Sequence, residues 1–150
     1  MVTNTFTNGT TADATEVNTN FTESDGTLCF GGTLQTVAEA TRYVPITGVN
    51  TTSYTTSKSG EILIPRAGTV QNLYVQANAN SHDQSMVLTI FVNGIATSVI
   101  ATVTAGSTAV FSDVSNTAAI TAGQSVSLRV VLASGTGSVS DISYGVEIVS

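Results

Sequence analysis

Charge is what this chain has least of. Asp, Glu, Lys and Arg together make up 9% of its 150 residues, against about 25% in ordinary soluble domains. Only Arg42, Lys58, Arg66 and Arg129 are basic, and the formal net charge is −6. A nucleic-acid groove needs clustered cations that displace counterions from phosphates, so the composition argues against that partner. No run of about 20 apolar residues is present, so no membrane span is expected. The start, "MVTNTFTNGT", has neither a basic opening nor an apolar stretch, and no signal peptide is expected. Asn8-Gly9-Thr10, Asn20-Phe21-Thr22 and Asn50-Thr51-Thr52 fit the glycosylation pattern. Without a secretory leader they read as chance matches. There is no Trp, and the single cysteine, Cys29, cannot close a disulfide within the chain.

With so few charges, the polar surface must come from Thr, Ser, Asn and Gln. Those residues suit strands and turns, whereas surface helices want Glu, Lys and Arg. A charge-poor chain of this kind tends to associate with itself. At this length a domain buries roughly 70% of the surface its unfolded chain exposes, so a core forms without disulfides.

From residue 28 onward the hydrophobic period is two. "SVSLRVVL" places Val126, Leu128, Val130 and Leu132 on one face and Ser125, Ser127 and Arg129 on the other. "DISYGVEIV" sets Ile142, Tyr144, Val146 and Ile148 against Ser143, Gly145 and Glu147. Such alternation predicts half-buried strands. "MVLTIFV", 86–92, is apolar almost throughout and is expected to be covered on both faces. Asn93-Gly94 follows it, the residue pair that a type I′ hairpin turn requires. Further strands are expected at 28–37, 41–49, 61–64, 69–77, 108–111 and 117–120, separated by Gly-, Pro- and Ser-rich turns. The resulting fold class is all-β: two packed antiparallel sheets, a sandwich or jelly roll, over residues 28–150.

Residues 1–27 read as a separate arm. Asp13 is a candidate helix N-cap with Glu16 three residues on. Ala14, Val17 and Phe21 then share one helical face. A two-turn helix is marginal alone in water and needs a surface to lie on. Phe6, Ala14, Val17 and Phe21 are therefore candidate docking residues.

Chemistry-bearing clusters are scarce. His82 stands in "NANSHDQS", but Ser81, His82 and Asp83 are consecutive, and the members of a catalytic triad converge from separate parts of a fold. A solvated loop is expected, with Ser81, His82, Asp83 and Gln84 as a candidate recognition tip. Cys29, in "TLCFG", reads as a small buried hydrophobe. Asp83, Asp113 and Asp141 flank strands. They read as solvated turn residues, or as calcium ligands gathered at one end, although nothing resembles a defined calcium loop. Arg129, on the polar face of its strand, is either exposed or a hydrogen-bonding residue of a subunit interface. No nucleophile–base pair, metal set or phosphate loop appears, so neither enzymatic activity nor a cofactor is expected.

Two stretches resemble phage virion proteins. Phe6, Gly9, Thr10, Ala14, Thr15, Glu16, Val17, Asn18, Asn20 and Phe21 match an N-terminal element of tail-fibre and other appendage proteins. The resemblance implies an attachment or assembly segment. "PRAGTVQNL" (65–73), "VNG" (92–94) and "TAGQSVSLRV" (121–130) are similar to a C-terminal jelly-roll module of phage and bacterial structural proteins, akin to the complement C1q and tumour necrosis factor domains. That resemblance implies a homotrimer. Together the stretches imply a virion surface protein of a bacteriophage, a fibre, spike or capsid decoration assembled in the host cytoplasm. Its partners would be its own copies, other virion proteins and a host surface glycan or protein. A carbohydrate-binding or adhesive module of a cellular surface protein is the alternative, which the scarcity of aromatic platforms weakens.

Overall fold

A computed structural model describes residues 26–37, 40–50 and 55–150. Eleven strands run through them: β1 Thr27–Val37, β2 Ala40–Val44, β3 Gly48–Asn50, β4 Ile62–Leu63, β5 Gly68–Asn80, β6 Met86–Val92, β7 Ile95–Val103, β8 Val110–Asp113, β9 Ala118–Ile120, β10 Ser125–Leu132 and β11 Val139–Val149. A single 3-10 turn, Ser57–Gly60, is the helical element among the described residues. The arm expected at 1–27, with Phe6, Ala14, Val17 and Phe21, lies outside them up to residue 25.

The strands form two sheets. The first has the order β3-β1-β11-β5-β8, with β9 also on β5. The second has the order β2-β10-β6-β7, with β4 also on β10. Apart from the parallel β1–β3 pair, every pairing is antiparallel. The chain crosses repeatedly between the sheets, so the late pair β10/β11 lies between the early strands in both layers. This is the expected jelly-roll sandwich.

The period-two alternation decides which side chains meet. Ile142, Tyr144, Val146 and Ile148 of β11 point inward with Val70, Leu73, Val75 and Ala77 of β5. Val126, Leu128, Val130 and Leu132 face them from β10, and Met86, Leu88 and Ile90 from β6. Each aliphatic side chain buried this way contributes about 1.5–3 kcal/mol. At the hairpin between β6 and β7, Asn93 and Gly94 take φ of 49° and 74°, the two positive values of a type I′ turn.

One expected strand is two. Residues 41–49 divide into β2, in the second sheet, and β3, in the first. Pro45 lacks an N–H and cannot continue a ladder, Ile46 drops into the core, and Gly48 turns the chain with φ 90°. The crossing is clamped by Tyr144. Its hydroxyl donates to the Pro45 carbonyl at 2.7 Å and accepts from Asn50 Nδ2 at 2.6 Å. Gly32 makes room for that hydroxyl, because a Cβ there would lie 2.6 Å from it and 2.7 Å from the Gly48 carbonyl.

The sandwich has two distinct ends. At one, Ser150 folds back on Gly26, donating its N–H at 3.2 Å and its hydroxyl at 2.9 Å to the Gly26 carbonyl. Running from there, β1 reaches Val37 opposite Val139 at the other end. That far end carries the connections 81–85, 104–109 and 133–138.

Burial pushes the Tyr144 phenol up to about 12, partly countered by the Asn50 hydrogen bond. The unfolded phenol ionises near 10, so the clamp's contribution is whole below pH 10 and is lost as pH rises through 12. Stability against unfolding, measured by denaturant titration, should therefore fall by roughly 2–3 kcal/mol across that interval. Tyr144→Phe should abolish this pH dependence and cost about 1–3 kcal/mol at pH 7, by leaving the Pro45 carbonyl without this donor and the Asn50 amide with only its bond to the Gly48 carbonyl. Gly32→Ala should destabilise comparably; an unchanged midpoint for it would contradict the clamp.

Candidate functional site

Three places carry functional potential: the far-end loops, the outward face of the second sheet and the outward face of the first.

The far end is organised by residues 80–85. Asn80 Nδ2 donates to the carbonyls of Thr104 (3.1 Å) and Ser107 (3.0 Å), and its Oδ1 accepts the His82 N–H at 3.1 Å. The His82 carbonyl accepts from Gly106 N at 3.0 Å, and Ser85 Oγ accepts from Ala105 N at 3.3 Å. Toward the third loop, Ser81 N and Asp83 N donate to the carbonyls of Ser138 and Thr136. Ser81 Oγ accepts in return from Ser138 N at 3.2 Å. The Asp83 carboxylate takes the Thr136 N–H at 3.0 Å and its hydroxyl at 2.9 Å. Those two bonds, the N–H first, hold the Asp83 carboxyl below its ordinary range.

The expectation of a solvated loop at His82 is thereby corrected. The imidazole is 1% exposed, and its Nδ1 accepts the Gln84 N–H at 3.1 Å. A short polar run looks like a free tip in sequence, but here its backbone and side chains brace two other connections. Ser81, Asp83 and Gln84 remain exposed, so the surface at this end is a composite of three loops held in one arrangement.

On the second sheet, β10 places Arg129 between Tyr43 of β2 and Thr89 of β6. Its guanidinium lies 4.7 Å from the Phe91 ring centre, and Nη2 donates to Thr89 Oγ1 at 3.4 Å. Tyr43 meets Phe91 edge-on at 5.5 Å. Thr89 and Phe91 are buried although they point away from the core, so both faces of β6 are covered, as its nearly continuous apolar run implies. Stacking of this kind contributes about 0.5–2 kcal/mol. Arg129 is thus neither free nor idle; it is half-buried, holding an outer layer over β6.

The first sheet's outward face carries Cys29, Gly31 and Thr33 of β1, Ser143, Gly145 and Glu147 of β11, Tyr74 and Gln76 of β5, and Val110 and Ser112 of β8. Tyr74 is 47% exposed and Val110 59%. Beside Tyr74 lies an open depression of about 210 Å³ lined by Gln76, Val110, Ser143 and Gly145. Cys29 was expected inside. It is exposed, because the β1 register pairs Leu28 with Ile148 and turns Cys29 outward beside Glu147.

Asp113 was expected to be a solvated turn residue and is instead buried. Its carboxylate accepts from Ile100 N (2.8 Å), Ser115 N (3.2 Å), Asn116 N (3.0 Å) and Asn116 Nδ2 (3.0 Å). The first of these caps the free edge of β7. Burial pushes the carboxyl up, but the N–H donors outweigh it and hold it below the ordinary value. Asp83 belongs to the far-end hub, and Asp141 faces outward on β11. Among the described residues, no three His, Cys, Asp or Glu side chains group as a metal-ligand set, and no helix is long and apolar enough to cross a membrane.

No family model matches this chain, and no curated protein does. Among solved structures it is similar to a family 35 carbohydrate-binding module from Clostridium thermocellum, at 12% identity and a TM-score of 0.41, over 79% of this chain and 97% of that one. The tail-fibre and C1q resemblances therefore rest on the sequence motifs alone.

Asp113→Ala should cost about 1–3 kcal/mol by stranding the Ile100 N–H. In the parent protein, the stability this carboxylate adds is present above about pH 4 and lost as pH falls through its lowered pKa; Asp113→Ala should flatten that acid limb in a denaturation series. For the hub, Asp83→Ala should raise amide exchange at Thr136 and Ser138 while leaving β10 and β11 protected. Unchanged exchange would show that the carboxylate does not hold the loop.

Proposed function

We propose that this chain is a structural protein of a virion surface, a trimeric fibre, spike or capsid decoration, held by its N-terminal arm and displaying the sandwich outward. The observation that carries the reading is the polarity of the sandwich. Gly26, where residues 1–25 join, lies at one end, and the braced three-loop surface at 81–85, 104–109 and 133–138 lies at the other. A tethered display protein needs this separation, because attachment at one end leaves the opposite end free to meet a host surface. The motif at Phe6–Phe21 supports an attachment role for the arm, and the low charge supports self-association. Arg129, with Tyr43 beside it, offers a contact on the outer sheet to a neighbouring virion subunit. Rigidity of the hub suits recognition, since loops already in one arrangement lose less entropy on binding.

A second reading, a carbohydrate-binding or adhesive module of a cellular surface protein, is favoured by one feature. Tyr74 stands half-exposed over a depression that also offers the Gln76 amide and the Ser143 hydroxyl, an aromatic plane with polar groups around it.

Deleting residues 1–26 separates the outcomes. The truncated protein should unfold cooperatively with nearly unchanged stability, keep its oligomeric mass and fail to join particles in an assembly assay. A truncated protein that no longer folds, or one that is incorporated normally, would contradict the arm's role. Saturable binding of a neutral glycan that Tyr74→Ala abolishes would support the second reading instead.

A further inference from the structure

We infer that the outward face of the first sheet is a contact between copies of this chain, in which Tyr74 of one copy packs over the bare strip formed by Gly31 and Gly145 of another. The inference rests on the self-association part of the reading above and names the surface that performs it.

The starting point is a glycine the fold does not need. Gly145 lies in the interior of β11, hydrogen-bonded on both sides, with Gly31 of β1 opposite it in one direction and Tyr74 of β5 in the other. Glycine in a strand interior costs about 0.5–1 kcal/mol relative to alanine. Four internal reasons usually justify it: positive φ, a β-bulge, a clash within the fold, or a close approach of backbone. The β11–β5 register does shift between Gly145 and Glu147, but the extra residue lies on β5, between Gln71 and Tyr74, where Asn72 takes the positive φ of 54°, so the bulge does not call for a glycine at 145. Gly145 is not among the residues with positive φ. A Cβ on it would meet nothing nearer than the Phe30 carbonyl oxygen at 3.7 Å, an ordinary contact. Gly32 on the opposite face shows the difference, since there the Tyr144 hydroxyl and the Gly48 carbonyl exclude a side chain. Gly31 is intermediate, its Cβ falling 3.3 Å from the Tyr144 carbonyl oxygen. A bare position that the chain itself leaves open points to something approaching the backbone from outside.

The rest of the face indicates what approaches. Gly31 and Gly145 form a flat strip across two central strands, and Tyr74 stands next to it, 47% exposed. A second depression, of about 170 Å³, lies on the far side of that ring, lined by Cys29, Asn72, Gly145 and Glu147. Knob and trough lie on one surface, so every copy carries both halves of the contact and Tyr74 of one can seat on the strip of the next. Charge points the same way. A chain of net charge −6 repels its own copies wherever carboxylates face each other. On this face Glu147 is held by Asn72 Nδ2 at 2.7 Å, and Asp141 lies at the far-end margin. Between them the surface is Gly, Ser, Thr, Gln, Val and Tyr. Tyrosine is also among the residues enriched where protein surfaces meet.

The test uses the full chain and two substitutions, with mass by sedimentation or light scattering at micromolar concentration and thermal unfolding in parallel. Gly145→Val places a β-branched residue, favoured in strands, where a Cβ meets only an ordinary contact, so its melting temperature should equal or exceed that of the parent. Its association should weaken by about tenfold or more. Tyr74→Ala removes a half-exposed ring and should weaken association to a similar degree while staying folded; it decides the question if Gly145→Val folds poorly. An oligomeric parent with monomeric variants is the expected result. If both folded variants keep the parent's mass, this face is not the contact, although self-association stands. A monomeric parent would overturn both.

Discussion

Strand β11 hydrogen-bonds to β1 on one side and to β5 on the other, along nearly its whole length, and the rest of the molecule depends on that double pairing. It makes β11 the centre of one sheet, so its inward row of Ile142, Tyr144, Val146 and Ile148 becomes the middle of the core. The same register brings the Tyr144 hydroxyl to the crossing between the sheets, where Pro45 and Asn50 hold it. It also decides what the outside looks like. With Ile142, Tyr144, Val146 and Ile148 committed inward, Ser143, Gly145 and Glu147 must face out, beside Tyr74 of β5 and Gly31 of β1. One strand therefore sets the core, the clamp and the outward face around Gly145.

The two ends of the sandwich answer different physical demands. At the entry end, Gly26 and Ser150 hold each other through a few hydrogen bonds at the surface. At the far end, polar side chains of 80–85 satisfy the N–H and C=O groups of two other loops. Such loops would otherwise exchange between conformations. Bracing them with Asn80, Ser81, Asp83 and Ser85 gives a defined surface through side-chain hydrogen bonds. The low charge content is consistent with this design, because uncharged Asn, Ser and Thr can serve both as strand residues and as loop braces.

Much of the architecture was legible in the sequence because period two is a strong signal when one face is buried. The strands at 86–92, 95–103 and 125–132 and the Asn93-Gly94 turn were read at their observed places, and the covered outer face of β6 followed from a run that is apolar almost throughout. Other features depend on pairing partners, which a single sequence does not display. The 41–49 segment looked continuous; that Pro45 carries the chain from one sheet to the other needs the partner strands of β2 and β3. Cys29 sits in an apolar neighbourhood, yet a one-residue step of register places it outside. His82 and Asp113 were read as solvated because their neighbours are polar. In the fold those neighbours are the partners that allow burial. The importance of Gly145 was hidden for the same reason: only when the space around a missing Cβ is known can a glycine required by the fold be told from one that is not.

Contact between the Tyr74 face and a second copy of the chain can be read out by replacing Tyr74 with a photo-crosslinking phenylalanine analogue, irradiating the assembled protein and mapping the product by mass spectrometry. The expected product is a covalent dimer joining position 74 to peptides of β1 or β11 that contain Gly31 or Gly145. An uncrosslinked chain, or crosslinks confined to other surfaces, would contradict that contact.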